Sequence, residues 1–217
     1  MNHLTEQPPL LTPDAVLHRA SEHLATRFDG TFSEETVERV VYESYTALAR
    51  TATISTHLPS LATRFAQDRL TALAQSKGAI AKPVPEVLFV CVQNAGRSQM
   101  AAALLRELGG DRVHVRSAGS QPAAHIESSI AQAMGELDID LAHDFPKPLT
   151  DDVVRAADVV ITMGCGDACP VYPGKRYLDW HLDDPEQRTI DEVRRIRDEI
   201  RVHVEHLLQT LEVPAHE

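Results

Sequence analysis

Apolar residues follow helical spacing through the first third of the chain. Thr12 can cap a helix with Pro13 in its first turn, and Leu17, Ala20 and Leu24 then form one stripe. Ser33 is the expected N-cap of a second helix, whose face carries Val37, Val40, Val41, Tyr45 and Leu48. After the break at THLPS, the positions Leu61, Ala62, Phe65, Ala66, Leu70 and Leu73 mark a third helix. Arg69 interrupts that apolar face. The stretch KGAIAKPVPE then breaks the periodicity with one glycine and two prolines. The chain is therefore divided into a three-helix domain over 1-80, a linker over 81-86 and a second domain over 87-217.

From residue 87 the texture changes. VLFVCV and DVVITMG are short and wholly apolar, as expected of strands buried on both faces. VHVRSAGS and the shorter KRYLDW read as two further strands. Between and after them lie helical patterns in SQMAAALLREL, ending at Gly109-Gly110, in IESSIAQAMGEL, in LTDDVVRAA and in the long TIDEVRRIRDEIRVHVEHLLQTL. Strands alternating with helices predict an α/β domain, a doubly wound parallel four-stranded sheet, preceded by the small three-helix bundle.

Composition narrows the function. The formal charge of −11 argues against nucleic-acid binding, which needs basic surface, and against reading the bundle as a DNA-binding module. The first residues lack a basic stretch followed by an apolar one, and no apolar run is long enough for a bilayer, so no membrane association and a cytoplasmic location are expected. Three cysteines do not make a disulfide framework for such a chain. Cys91 stands alone, whereas Cys165 and Cys169 lie close together.

Cys91 opens the stretch CVQNAGRS, where a strand turns into a helix. The backbone N–H groups of Val92, Gln93, Asn94, Ala95, Gly96 and Arg97 can face inward, and the helix from Ser98 adds its positive end. Arg97 supplies a planar fork for two oxygens of a tetrahedral oxyanion. The same field favours thiolate over thiol at Cys91, and the Ser98 hydroxyl can bond to the sulfur. Such a loop both holds an oxyanion and attacks its central atom. Expelling an oxygen then requires a proton donor, for which LDWHLDDPEQ offers Asp179, Asp183 and Asp184. In a parallel sheet the segment after DVVITM leaves the same edge as the thiol loop, so Cys165 can approach Cys91, whether its loop moves or is already close. Cys169 follows four residues later, a spacing that on a helical turn brings two thiols together. With no second cysteine pair or histidine pair, no zinc or other metal site is expected.

CVQNAGRS and the later Asp184-Pro185 resemble the low-molecular-weight protein tyrosine phosphatase family, and within it the arsenate reductases, over residues 87 to about 211. The resemblance implies Asp184 as general acid, selected by the proline that follows it. It implies Asn94 and Ser98 as supports of the loop, with the Ser117-Ala118-Gly119 stretch after the second strand buttressing it. It further implies a relay in which Cys91 attacks arsenate, Cys165 attacks Cys91, and Cys169 attacks Cys165, leaving a Cys165–Cys169 disulfide near the surface for thioredoxin. Phosphate or sulfate would act as substrate analogues, and no bound cofactor is implied. The chain departs from the family in two ways: C-x3-C is narrower than usual for thioredoxin-coupled members, and Ala95 stands where they carry a second loop cysteine. Two alternatives stay open, a protein tyrosine phosphatase and a mycothiol-dependent reductase. The helical extension is expected to form a homodimer or to dock on the catalytic domain.

Overall fold

The computed structural model describes residues 12–53, 56–164 and 169–211. Its first three elements are helices α1 (Pro13–Arg27), α2 (Glu34–Ala49) and α3 (Leu58–Ser76). Thr12 and Ser33 cap the first two as their side chains imply, each accepting from a backbone N–H at 3.3 Å (Ala15 and Thr36). Leu17, Leu24, Val37, Val41, Phe65 and Leu70 form the buried centre of this bundle.

The remaining chain runs β1 (Glu86–Cys91), α4 (Arg97–Gly109), a 3-10 turn, β2 (His114–Gly119), α5 (Ser128–Gly135), α6 (Asp151–Ala156), β3 (Val159–Met163), β4 (Arg176–Asp179) and α7 (Ile190–Leu211). The four strands are all parallel in the order β2-β1-β3-β4. Alternation along β1 splits the core: Val87, Phe89 and Cys91 join the cluster under α4, α5 and α7, while Leu88 and Val90 join the one under α6. β1 begins one residue earlier than the sequence pattern indicates. Glu86 belongs to the strand because Arg116 on the neighbouring β2 pairs with its buried carboxylate.

The docking alternative for the helical extension is the one seen. Ala72 of α3 enters the sheet cluster beside Leu88, Val90 and Ala118, and Phe145 reaches back onto the bundle's core. Arg69, the exception on the apolar face, donates to Asp152 of α6 at 2.9 Å and to Glu43 and Ser44 of α2 at 3.1 and 3.2 Å. A second network joins α3 to the sheet. Glu86 accepts from Arg116 at 2.9 Å and from Gln75 at 2.6 Å, while Arg116 also donates to the Asp68 carbonyl at 3.0 Å. Each charge is held by several partners, as burial requires.

Strand order reverses between β1 and β3. Ligands of doubly wound sheets bind at the carboxyl ends of strands at such a point. Two segments leave there, the thiol loop after Cys91 and the segment after Gly164 that carries Cys165.

Candidate active site

The thiol loop joins β1 to α4 over five residues, and its carbonyls are tied outward. Ser120, Gln121 and Ala123 donate to the carbonyls of Cys91, Val92 and Gln93 at 3.2, 2.8 and 2.9 Å. The loop therefore turns its N–H side inward, and the Asn94 N–H donates to Cys91 Sγ at 3.2 Å. Asn94 has a left-handed φ of 50°, which asparagine tolerates better than most residues. Its side chain holds the position, donating to Ser98 Oγ at 2.8 Å and accepting from the Lys147 N–H at 2.8 Å. Ser98 Oγ, which accepts from Asn94, lies 2.9 Å from Cys91 Sγ and can donate its hydrogen to a thiolate there. The thiol is buried among these donors, an arrangement that stabilises negative charge on sulfur.

Asn94 and Ser98 thus bond to each other and to the sulfur that opens the loop. The Ser117 hydroxyl is buried and has no hydrogen-bond partner among the described residues. The Ser117-Ala118-Gly119 stretch lies at the end of β2 rather than after it, and contact with the loop falls to Gly119. A Cβ there would sit 2.7 Å from the Val92 carbonyl oxygen and 2.9 Å from Asn94 N. Only a residue without a side chain lets β2 lie this close. Gln99 is a further support, donating to the carbonyls of Asn94 and Phe145, both at 3.0 Å.

Asp184 is brought to the thiol loop, as neither Asp179 nor Asp183 is. Asp179 accepts from Thr162 and Asp183 pairs with Arg195. Asp184 pairs with Arg97 at 2.5 Å, and Arg97 also donates to the Leu182 carbonyl at 3.3 Å. The guanidinium thus engages the acid. Pro185 closes the contact by packing on Gly96, where a Cβ would lie 2.7 Å from the proline ring. Gln93 donates to Glu186 at 3.1 Å. Cys91, Gln93, Arg97, Glu127, Asp184 and Glu186 consequently face one small cavity.

Residues 86–215 match the family described as Low molecular weight phosphotyrosine protein phosphatase. The chain belongs to that family. Residues 17–74 match the protein-tyrosine-phosphatase-like N-terminal domain, so the helical extension is itself a recognised unit. A thioredoxin-dependent arsenate reductase of Corynebacterium glutamicum is 50% identical, covers 91% of this chain and 96% of its own, and superposes with a TM-score of 0.82. Arsenate reductase 1 of Staphylococcus epidermidis is 35% identical over 123 residues, which span 55% of this chain and 92% of the relative. An Erwinia amylovora tyrosine phosphatase, 21% identical with a TM-score of 0.54, covers 60% of this chain and 95% of its own and shares the fold.

Of the two remaining cysteines, Cys165 lies outside the described residues. The residue before it, Gly164, has φ 74°, and a Cβ on it would lie 3.2 Å from the Arg97 guanidinium. Cys169 is buried rather than near the surface, beside Val160 and the rings of Tyr172 and Tyr177. Tyr177 donates to the Pro170 carbonyl at 3.2 Å and accepts from the Tyr172 N–H at 2.9 Å. Burial, together with the charge of Cys169, pushes the Tyr177 hydroxyl above its ordinary pKa. His181 is fully in solvent and pairs with Asp179. Among the described residues no group of three or more metal-ligating side chains gathers, and no helix is long and apolar enough to cross a membrane.

Proposed function

We propose that this member of the family is an arsenate reductase that regenerates its thiol through Cys165 and Cys169, with thioredoxin as the external dithiol reductant. One observation carries the reading: β1 and β3 are neighbours, and Cys91 is the register partner of Met163. Adjacent strands lie about 4.8 Å apart, so Met163 stands beside Cys91, and Cys165 follows it by two residues in the chain. The reductase names of the Corynebacterium and Staphylococcus relatives support the same reading.

An incoming oxyanion takes the inward N–H groups and draws Arg97 away from Asp184, freeing the acid. The Cys91 thiolate attacks arsenic, and an As–O bond breaks with a proton from Asp184, releasing water. A Cys165 thiolate then attacks Cys91 Sγ. The S–As pair of electrons stays on arsenic, which leaves as arsenite, and a Cys91–Cys165 disulfide forms. Attack by Cys169 on Cys165 frees the Cys91 thiolate and moves the disulfide to Cys165–Cys169. Since Cys169 starts buried, this last exchange requires its side chain to leave the cluster around Tyr177.

A phosphotyrosine substrate would call for rings at the mouth. The described residues facing the cavity include none, and Trp180 is instead core, packed on Phe89 and His203. The test is arsenate-dependent NADPH oxidation with thioredoxin and thioredoxin reductase. Turnover supports the reading; none with any thiol reductant, alongside rapid aryl phosphate hydrolysis, refutes it.

A further inference from the structure

The proposed reaction accounts for Asp184 but not for Glu127, the N-cap residue of α5, which faces the same cavity as Cys91. Glu127 is half-buried, whereas Asp184 and Glu186 are exposed. Burial pushes its carboxyl above the usual range, and the charges of Glu186 and Asp184 add to the effect. The Gln187 backbone hydrogen-bonds to it and His125 lies close enough to oppose the shift, yet among the described residues no Lys or Arg pairs with it. Arg97, the strong cation of the mouth, is engaged by Asp184 instead.

In-line attack by Cys91 places the departing oxygen opposite the sulfur, in the cavity that Glu127, Asp184 and Glu186 line with Cys91. In hydrogen arsenate or hydrogen phosphate that oxygen carries a hydrogen. In an ester it carries carbon. We propose that Glu127 is a specificity-determining residue whose carboxylate accepts a hydrogen bond from the outward hydroxyl of an inorganic oxyanion. During the step, the As–O bond breaks, Asp184 gives its proton to the oxygen, and the hydrogen already on that oxygen stays on it, hydrogen-bonded to Glu127, until water leaves. An organic ester offers no such hydrogen, and its carbon group must desolvate the carboxylate. Sites built to bond a hydroxyl reject analogues lacking it far more strongly than apolar pockets do. The inference rests on the oxyanion chemistry of the thiol loop and deepens the reductase reading.

The test measures how well inorganic phosphate and phenyl phosphate protect Cys91 from iodoacetamide, followed by mass spectrometry of its peptide. It compares wild type with Glu127→Ala, Glu127→Met and Glu127→Gln. Protection by phosphate should weaken about tenfold in the Ala and Met variants, while protection by phenyl phosphate does not weaken. Glu127→Gln keeps a carbonyl acceptor of the same length and should retain most of the selectivity. Unchanged phosphate protection in the Met variant overturns the proposal. Equal weakening for both ligands also overturns it, because a merely structural tether to the 184–188 segment would act on both. Arsenate turnover by wild type is read separately, and its absence removes the reductase reading while the protection ratio still decides on Glu127.

Discussion

Replacing Glu86 by glutamine should uncouple the helical bundle from the sheet in a pH-dependent way. Glu86 is 2% exposed and bonds to Arg116, His114 and Gln75 at once. Burial alone would raise its carboxyl, but His114 and Arg116 outweigh it and hold the pKa at about 2, against an ordinary 4.5. At 1.36 kcal/mol per unit, that difference corresponds to about 3 kcal/mol, or ~2 kcal/mol after a discount for solvent at the exposed His114 side. A depressed carboxyl stabilises the fold above its unfolded pKa and loses that contribution as pH falls toward its folded one. Urea unfolding at pH 5.5 should therefore show Glu86→Gln less stable by ~2 kcal/mol, with more than half of the gap gone at pH 3. A gap below ~0.5 kcal/mol at pH 5.5, or one that stays constant to pH 3, would refute the reasoning.

Other substitutions probe the thiol loop. Gly119→Ala places a Cβ against backbone atoms of Val92 and Asn94 that cannot turn aside. Thermal unfolding should show a loss of ~1–3 kcal/mol, and turnover should fall on the order of 100-fold as the loop shifts. Ser98→Ala removes the hydroxyl 2.9 Å from Cys91 Sγ, and a hydrogen bond to a charged group contributes about 1.5–3 kcal/mol. Iodoacetamide modification of Cys91 at neutral pH should slow about tenfold or more. An unchanged rate would mean that the hydroxyl does not serve the thiolate. Tyr177→Phe breaks the bond to the Pro170 carbonyl, and in reduced protein Cys169 should then be alkylated several-fold faster, by ~1 kcal/mol of lost restraint.

What the sequence made legible was local. Thr12 with Pro13, and Ser33 before two acids, carry their own helix starts, and the structure caps both helices there. The thiol loop is equally local, since strand, turn and helix dipole all lie within one short run. Contacts formed by folding were harder to read. Arg69 could be seen as an exception on its helix face, but its partner Asp152 lies 83 positions away. Gly119 looked incidental in the Ser-Ala-Gly stretch, because only the closeness of β2 to Val92 reveals its purpose. Glu127 carried no motif at all. A polar residue on a buried helix face was the one available signal for Gln99, directly after Ser98 on α4.

In the proposed relay the two electrons for arsenate come from the Cys165 and Cys169 thiols by way of Cys91. This relay is tested most directly by mapping disulfides by mass spectrometry after one turnover with excess arsenate and no external reductant. Wild type should accumulate a Cys165–Cys169 disulfide with Cys91 reduced. Cys169→Ser should stop at Cys91–Cys165, and Cys165→Ser should form neither. Full arsenite release from Cys165→Ser, with a Cys91–Cys169 disulfide formed directly, would contradict the relay.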